Sequence, residues 1–406
     1  MKVLHKNKGF RICISLAFGI IIGVICGLCG VAFSKTVGFV TELRLQNSWI
    51  LYLLPLGGLI STIIYKLCRV KNVGTTNVFD SVRTEQNLPI GLPPAVFCGT
   101  AISHLFGASV GREGAALQIG GGVANVFSRV FHLDEDSRHT VIMCGMAALF
   151  SALFGTPLAA CVFVLEVIMT RVCLSALFPV LLSSITAYGV SHIFNIGAEK
   201  FNMGDLPPFS FSLVLKTCVI TAAGIIVAFV FCKCLSVGKN LFKKVVKNEF
   251  LRIVVGGTVI VILTLMVGNS DYNGGGIDVI ERVFDGHVRY EAFALKILFT
   301  VICISAGYKG GEIIPTLFIG ATLGGALATV LNLPIATGAV IGMAVLFVCA
   351  TKCPIATILL CCEMFGFYCA PLVVPIVIVS FIFGRYKGLY SNSKDILNLV
   401  KECKKA

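Results

Sequence analysis

Near-continuous apolar stretches separated by short polar breaks dominate the sequence. They cover residues 11–34, 51–68, 90–106, 139–170, 173–194, 211–237, 250–268, 292–306, 313–350 and 354–383. Several reach the roughly 20 residues that an α-helix needs to cross a bilayer. Others are short or interrupted by Gly and Pro, which in a membrane is typical of half-helices buried against protein around a cavity. The pattern therefore predicts an all-α membrane protein of about a dozen or more helical pieces.

Composition excludes most alternatives to a membrane protein. The chain is 57% hydrophobic and only 13% charged, against about 25% charged in an average soluble domain. A soluble fold cannot hide so much apolar surface. The formal charge of +13 does not indicate nucleic-acid binding, because the basic residues sit beside the apolar stretches rather than along one solvated face.

The basic clusters predict the topology. They lie at Met1–Arg11, at 233–252 and at Lys401–Lys405. By the positive-inside rule all three are cytoplasmic, so we expect a multi-pass cell-membrane protein with both termini in the cytosol. The first apolar stretch exceeds the core of a signal peptide and lacks a clear small-residue cleavage site, so we expect it to be retained.

Eighteen cysteines raise the question of disulfides or metal. Most lie inside apolar stretches, where cysteine behaves as a small hydrophobic residue. Cys232 and Cys234 have no second pair and no histidine at metal-ligand spacing. We therefore expect no metal site and no cofactor.

An internal repeat divides the chain. Pro157–Glu166 and Pro354–Glu363 share a Pro, an Ala two positions later and a Glu nine positions later. Gly111–Gly120 and Gly310–Gly320 each place a glycine-flanked charge before an apolar helix, again offset by nearly 200 residues. Such duplication predicts a transporter of two related halves with its binding site where broken helices meet.

The polar segment Asn195–Phe209 supplies the boundary between the halves. The predicted organisation is a cytoplasmic segment 1–10, a first membrane half 11–200, a second membrane half 201–390 and a short cytoplasmic tail 391–406.

The strongest local signal is the segment Gly107–Gly114, which contains Gly111, Arg112 and Glu113. Its glycines let backbone N–H groups turn inward, and the following helix directs its positive end at the same point, which favours anion binding at Gly111, Arg112 and Gly114. An ionisable side chain at membrane depth is costly, so Glu113 is a functional candidate, a tethered anion that leaves its site when protonated. The structural alternative is that Glu113 only caps the helix or pairs with Arg112.

Gly307–Pro315 is the matching element of the second half. The N–H groups of Ile313 and Ile314 are candidates for anion binding, and Glu312 either caps this helix, lies in the anion path, or does both. Glu166 and Glu363 come late in apolar helices and are expected to satisfy backbone groups or to face the contact between the halves.

A different class of function is suggested by Gly107-Ala-Ser109-Val-Gly111, which fits the G-x-S-x-G pattern of a nucleophile elbow, with His104 as a nearby candidate base. The pattern is short, the chain holds 42 glycines, and the strand that precedes the elbow in hydrolases is missing. We therefore expect a protein that is not an enzyme.

Over about residues 70–390 the chain resembles the CLC family. The resemblance rests on Gly111–Gly114 before the Gln118-Ile-Gly helix, on the G-x-x-x-P element at 311–315 and on Phe154-Gly-Thr-Pro157. It implies an inverted repeat of broken, tilted transmembrane helices and a homodimer with one anion pathway per subunit. It also implies a gating glutamate at Glu113 and a central tyrosine at Tyr390. Because the sequence ends sixteen residues after Tyr390, we expect no CBS domains.

Departures from the family pattern concern ion choice and proton route. Gly74–Val78 replaces the family's G-S-G-I-P, so Thr75, Thr76 and Asn77 are the candidate donors to the anion. Ala115 stands where the family has Pro, and Val167 stands where chloride/proton exchangers carry an inner glutamate. These changes resemble the fluoride-type branch, which exports fluoride in exchange for protons, with Glu312 as a possible proton relay. The alternative is a chloride channel or chloride/proton antiporter of the same fold.

Overall fold

The described residues, 8–71, 73–83, 87–168 and 173–390 of a computed structural model, are almost entirely helical. The predicted cytoplasmic segment 1–10 lies mostly outside this part, and the predicted tail 391–406 lies wholly outside it. The α-helices are α1 Lys8–Gln46, α2 Leu54–Leu67, α3 Thr75–Arg83, α4 Leu92–Leu105, α5 Glu113–Val130, α6 Glu135–Phe154, α7 Pro157–Ile168, α8 Cys173–Ile193, α9 Phe211–Val245, α10 Glu249–Val267, α11 Ile277–Phe284, α12 Ala292–Ala306, α13 Ile313–Val330, α14 Ile335–Thr351, α15 Pro354–Phe365 and α16 Ala370–Phe383.

Left-handed residues split several apolar stretches into two helices. The stretch 139–170 breaks at Gly155, whose φ of 70° ends α6 before Pro157 begins α7. The stretch 313–350 breaks after α13, where Asn332 has φ of 51°. Left-handed backbone ends a helix because the next N–H turns away from the helix axis. The dozen or more pieces expected from hydropathy are thus confirmed.

Seven helices in the described part of the chain are long and apolar enough to cross a membrane, by length and composition. Six further apolar helical segments contain only 10–17 residues, and most of them are shorter than a full span. Short helices expose backbone ends at membrane depth, and such ends are tolerated where they are buried in protein or line a cavity. The fold therefore combines full spans with half-helices, as the interrupted stretches predict.

The helices repeat in the same order in the two halves. The series α3 to α7 is matched by α11 to α15. Helices α5 and α13 both contain 18 residues, and α7 and α15 both contain 12. Gly107 and Gly307, which end α4 and α12, both adopt positive φ.

Glycines lie where α13 crosses α14 and where α5 crosses α6, and they let the two backbones of each pair approach very closely. A Cβ atom at Gly324 would lie 2.0 Å from the carbonyl oxygen of Gly338, and one at Gly120 would lie 2.1 Å from that of Gly145. Small residues let helix backbones approach closely in membranes, where packing rather than hydrophobic burial drives association. Helix α6 is buried on nearly all sides, and with α5, α13 and α14 it forms the centre of the core.

Helices α7 and α15 cap each other across the two halves. The carboxylate of Glu166 accepts hydrogen bonds from the N–H groups of Ile355 and Ala356, at 3.0 and 2.8 Å. The carboxylate of Glu363 accepts from those of Leu158 and Ala159, at 2.9 and 2.8 Å. Because each helix end meets the other helix's N-terminus, α7 and α15 run antiparallel. The expectation that these two acids satisfy backbone between the halves is confirmed.

Candidate anion-transport site

The N-terminal ends of α5 and α13 meet in the middle of the molecule. Gly111 N–H donates to the Gly311 carbonyl at 2.7 Å, and Gly311 N–H donates to the Gly111 carbonyl at 2.6 Å. A Cβ atom at Gly311 would lie 2.4 Å from the nitrogen of Gly114, so only glycine fits there. Two positive helix ends thus converge on one point, an arrangement that attracts negative charge.

Glu113 is the first residue of α5 and is completely buried. Its carboxylate folds back over Gly111, because a Cβ atom at Gly111 would lie 2.7 Å from Glu113 Oε2. Among the described residues neither carboxylate oxygen has a hydrogen-bond partner of normal geometry, although the N–H groups of Arg112 and Glu113 at the start of α5 face the carboxylate. Arg112 Nε lies 3.5 Å from Glu113 Oε1, so the predicted ion pair between these two side chains is present.

Arg112 contacts more than Glu113. Its Nη2 donates to Glu199 Oε1 at 2.8 Å, and its Nη1 donates to Ser34 Oγ at 3.2 Å. Glu199 was not among the predicted site residues, because it lies in the polar segment that was predicted only as the boundary between the halves. The available signal was the single glutamate of that segment, Asn195–Phe209.

Helix α3 brings one of its three candidate donors against α5. Thr75 Oγ accepts a hydrogen bond from Gln118 Nε2 at 3.0 Å and donates one to the Gly114 carbonyl at 3.4 Å. Thr76 is half-buried on the same turn. Asn77 is exposed, and its Oδ1 accepts the N–H of Gly74 at 2.9 Å. Its side chain is therefore engaged in the turn that starts α3.

At the start of α13, Glu312 occupies the N-cap position but makes no side-chain cap hydrogen bond. Its main-chain carbonyl accepts from Thr316. Ile313 and Ile314 are buried, and Ile314 Cβ lies 3.2 Å from the position of a Cβ on Gly111. The Glu312 side chain therefore does not cap α13 through a hydrogen bond.

Tyr390, the last of the described residues, packs between α3 and α7. It is 2% exposed and its hydroxyl has no hydrogen-bond partner. Its ring stands edge-on to Phe79 of α3, with centroids 5.4 Å apart, and to Phe163 of α7 at 6.3 Å. The Leu389 N–H, bonded to the Ala350 carbonyl at 2.7 Å, fixes this segment.

The nucleophile-elbow pattern has a structural explanation. Ser109 is fully buried and its hydroxyl pairs with that of Thr300 at 3.0 Å. Its N–H donates to the sulfur of Cys303 at 3.1 Å. These contacts join the first half to α12, and they leave the hydroxyl inaccessible to a substrate.

Val167 fills the position of the missing inner acid with a buried apolar side chain. Its carbonyl oxygen accepts a hydrogen bond from the guanidinium of Arg83. Within the described ranges, no group of three or more His, Cys, Asp or Glu side chains is arranged to hold a metal ion.

Fold and site together define a membrane transporter of two repeated halves, with a buried carboxylate where two broken helices meet. The family model described as voltage gated chloride channel matches residues 57–385. The chain belongs to this family, the CLC family. Its all-α architecture of repeated, broken helices is that of the family.

Individual relatives differ in the ion that they are described as moving. A chloride/fluoride channel protein of Pseudomonas syringae pv. tomato is 32% identical over 387 residues, covering 92% of this chain and 85% of the relative. The H(+)/Cl(-) exchange transporter ClcA of Vibrio vulnificus is 28% identical over 393 residues, covering 89% and 83%.

Two solved structures have folds similar to that of this chain. A CLC-type fluoride/proton antiporter is 31% identical and has a TM-score of 0.90, with 95% of this chain and 98% of that chain covered. A slow cyanobacterial Cl-/H+ antiporter has a TM-score of 0.79 at 20% identity, covering 96% of this chain and 98% of that chain, which shows the fold alone.

Proposed function

We propose that this protein exports fluoride across the cell membrane in exchange for protons. The observation that carries the proposal is the buried carboxylate of Glu113, without a hydrogen bond, at the junction of two helix N-termini. Support for the ion comes from the relative described as a chloride/fluoride channel protein and the solved fluoride/proton antiporter.

The proposed cycle uses Glu113 as a tethered anion. Ionised, its carboxylate occupies the positive field of the α5 and α13 N-termini and excludes a free anion. Protonated, it no longer competes for that field, and an anion enters. One group therefore carries the proton and opens the path, which links the two fluxes.

Fluoride selection requires closely spaced donors. Fluoride is small and strongly hydrated, so removing its water is costly unless several directed hydrogen bonds replace it. The candidate donors are the Thr75 hydroxyl, the N–H groups at the starts of α5 and α13, and the protonated form of Glu113. Thr76 remains a candidate, whereas the Thr75 hydroxyl first has to leave the Gly114 carbonyl to which it donates. The Asn77 Oδ1 accepts the Gly74 N–H, so Asn77 can donate only from its Nδ2.

The proton route bypasses position 167. An apolar Val167 cannot carry a proton, so Glu113 either serves both membrane faces alone or shares the proton with Glu312. Glu312 at the start of α13 has no cap hydrogen bond that would compete with such a relay role. Tyr390, whose buried hydroxyl has no hydrogen-bond partner among the described residues, is a further candidate donor to the anion.

Assembly and orientation complete the proposal. We infer a homodimer with one anion pathway per subunit, inserted in the cell membrane with both termini in the cytosol. The lysines at the end of α9, Lys243 and Lys244, then face the cytosol. The activity is transport and not catalysis.

A chloride channel or chloride/proton antiporter is the second candidate. It is favoured by the relatives described as H(+)/Cl(-) exchange transporters, which match 89% of this chain. The threonines and backbone N–H groups that bind fluoride also bind chloride, though less tightly.

Competitive efflux tests the ion. Proteoliposomes loaded with equal fluoride and chloride are read with two ion-selective electrodes while external pH is recorded. We expect fluoride to leave at least about tenfold faster, which corresponds to about 1.4 kcal/mol in the barrier. Chloride leaving as fast as fluoride contradicts the fluoride assignment and leaves the fold unaffected.

A further inference from the structure

Glu199 is a buried acid that the transport cycle outlined above does not use. It lies in the segment between α8 and α9, and its side chain is 8% exposed. The segment is held in place, because Glu199 N–H donates to the Phe154 carbonyl at 3.1 Å and Ala198 packs against Gly155. Glu199 is therefore a fixed part of the structure around α5.

The guanidinium of Arg112 interacts with the carboxylates of both Glu199 and Glu113. Arg112 donates to Glu199 at 2.8 Å from Nη2 and lies 3.5 Å from Glu113 through Nε. Glu199 Oε2 and both Glu113 oxygens have no hydrogen-bond partner. With both acids ionised, the trio carries one excess negative charge in a buried place, and such a pair takes up protons as a unit.

Groups from other described elements also face this trio. Ser34 from α1 supplies a neutral hydroxyl. His104 of α4 interacts with Arg112, Glu281 of α11 with Glu199, and Tyr390 with Glu113. Burial raises the pKa of the Glu199 carboxyl above its ordinary value, although Arg112 acts in the opposite direction.

The segment places Glu199 on one particular membrane face. Glu199 lies in the segment that leads into the start of α9 at Phe211. The lysines of α9 lie at the opposite end of that helix. A helix of 35 residues extends about 50 Å, more than a bilayer core. Glu199 therefore faces the side opposite the lysine cluster, which is the exterior in the proposed orientation.

We propose that Glu199 is a positioning residue that holds Arg112 between two carboxylates and thereby sets the external pH at which Glu113 accepts its proton. The inference rests on the proposed proton coupling. Without the second negative charge, and with Arg112 free to pair fully with Glu113, the ionised form of Glu113 is favoured. More protons are then needed to open the path.

The test is the external pH dependence of anion flux in proteoliposomes holding the full chain. We expect Glu199→Gln to move the pH of half-maximal flux downward by about one unit, a tenfold higher proton concentration. Glu199→Ala, a second neutral variant, is expected to shift it likewise. Glu199→Asp keeps the charge and is expected to keep the midpoint near that of the wild type.

Asp271→Asn is the matched control. It removes another arginine-paired carboxylate, bonded to Arg282 at 2.7 Å, beyond the end of α10 that is remote from the lysine cluster. Its pH midpoint is expected to stay unchanged. A slower flux with an unchanged midpoint in both neutral Glu199 variants assigns only a structural role and overturns the proposal.

The same profiles are recorded with fluoride and with chloride. Wild-type flux of chloride alone contradicts the fluoride assignment, yet a downward shift of the chloride profile in Glu199→Gln still supports the role of Glu199. Wild-type flux that is independent of external pH for both ions contradicts both proposals.

Discussion

At the scale of single residues, burying the carboxylate of Glu113 has a free-energy cost that requires an explanation. Its two oxygens lack hydrogen-bond partners although both are inaccessible to water. Leaving a buried polar atom unpaired is unfavourable. Two helix N-termini and Arg112 offset part of that cost for the ionised form only, so protonation changes which partner the site prefers.

We expect Glu113→Gln to abolish proton movement and to slow anion exchange by at least about tenfold. The amide can neither occupy the site as a charge nor carry a proton. The measurement is lumenal pH during fluoride efflux from proteoliposomes. The control is Glu249→Gln, another first helical residue with an ion pair, 2.8 Å from Lys66. Wild-type lumenal acidification by Glu113→Gln would exclude Glu113 as the gate.

Glu312 lies at the equivalent helix start in the second half. We expect Glu312→Gln to slow coupled transport by about tenfold or more, because it removes a second protonatable group near the path. Thermal stability in detergent should stay close to wild type, since no cap hydrogen bond is lost. Transport is measured as paired fluoride and proton flux.

Glu291→Gln is the matched control for Glu312. Glu291 also stands at an N-cap position without a side-chain cap hydrogen bond, but it is exposed at the start of α12. Its flux should equal that of wild type. Unchanged turnover in Glu312→Gln would remove Glu312 from the proton route.

At the scale of elements, the reciprocal caps of α7 and α15 hold the two halves in register. Each carboxylate accepts two backbone N–H groups from the other helix. Charge-assisted bonds to a helix N-terminus are stronger than neutral ones and also match the positive helix end. The two acids therefore stabilise the contact without taking part in the proposed cycle.

We expect Glu363→Ala to lower the free energy of unfolding by about 1–3 kcal/mol, because two partly buried N–H groups lose their acceptor. Glu166→Ala should behave alike. The midpoint of thermal unfolding in detergent measures the loss, with exposed Glu291→Ala as control. The ratio of fluoride to chloride flux should not change in protein that stays folded. An unfolding midpoint equal to that of the wild type would show that these caps do not stabilise the contact between the halves.

At the scale of the whole molecule, the question is whether the two fluxes are linked. A channel lets each ion follow its own gradient, whereas an exchanger lets one gradient drive the other ion. In the proposed cycle Glu113 cannot hold its proton and fill the anion site as a charge at the same time, so the proposal predicts exchange.

We expect a proton gradient alone to move fluoride. Proteoliposomes with equal fluoride inside and outside are given an acidic exterior, and internal fluoride should fall below external fluoride. Reversing the pH gradient should reverse the direction, and protein-free liposomes are the control. Net fluoride movement that ignores the pH gradient would identify a channel.

Much of this arrangement follows from local pattern. Helix number, the repeat, the glycine-flanked Glu113 and the backbone role of Glu166 were all readable from hydropathy, spacing and the cost of a carboxylate in a membrane. Such signals depend on neighbours within a few turns, so a linear sequence contains them.

Contacts between distant segments were not readable in this way. The Gly111–Gly311 pairing joins residues 200 positions apart, and Arg112 meets Glu199 across 87 positions. No periodicity selects one partner over another at such separations, because the choice depends on how whole helices pack. Tertiary structure alone therefore assigned Asn77 to its own turn, left Glu312 without a cap bond, and placed a second carboxylate, that of Glu199, near Glu113.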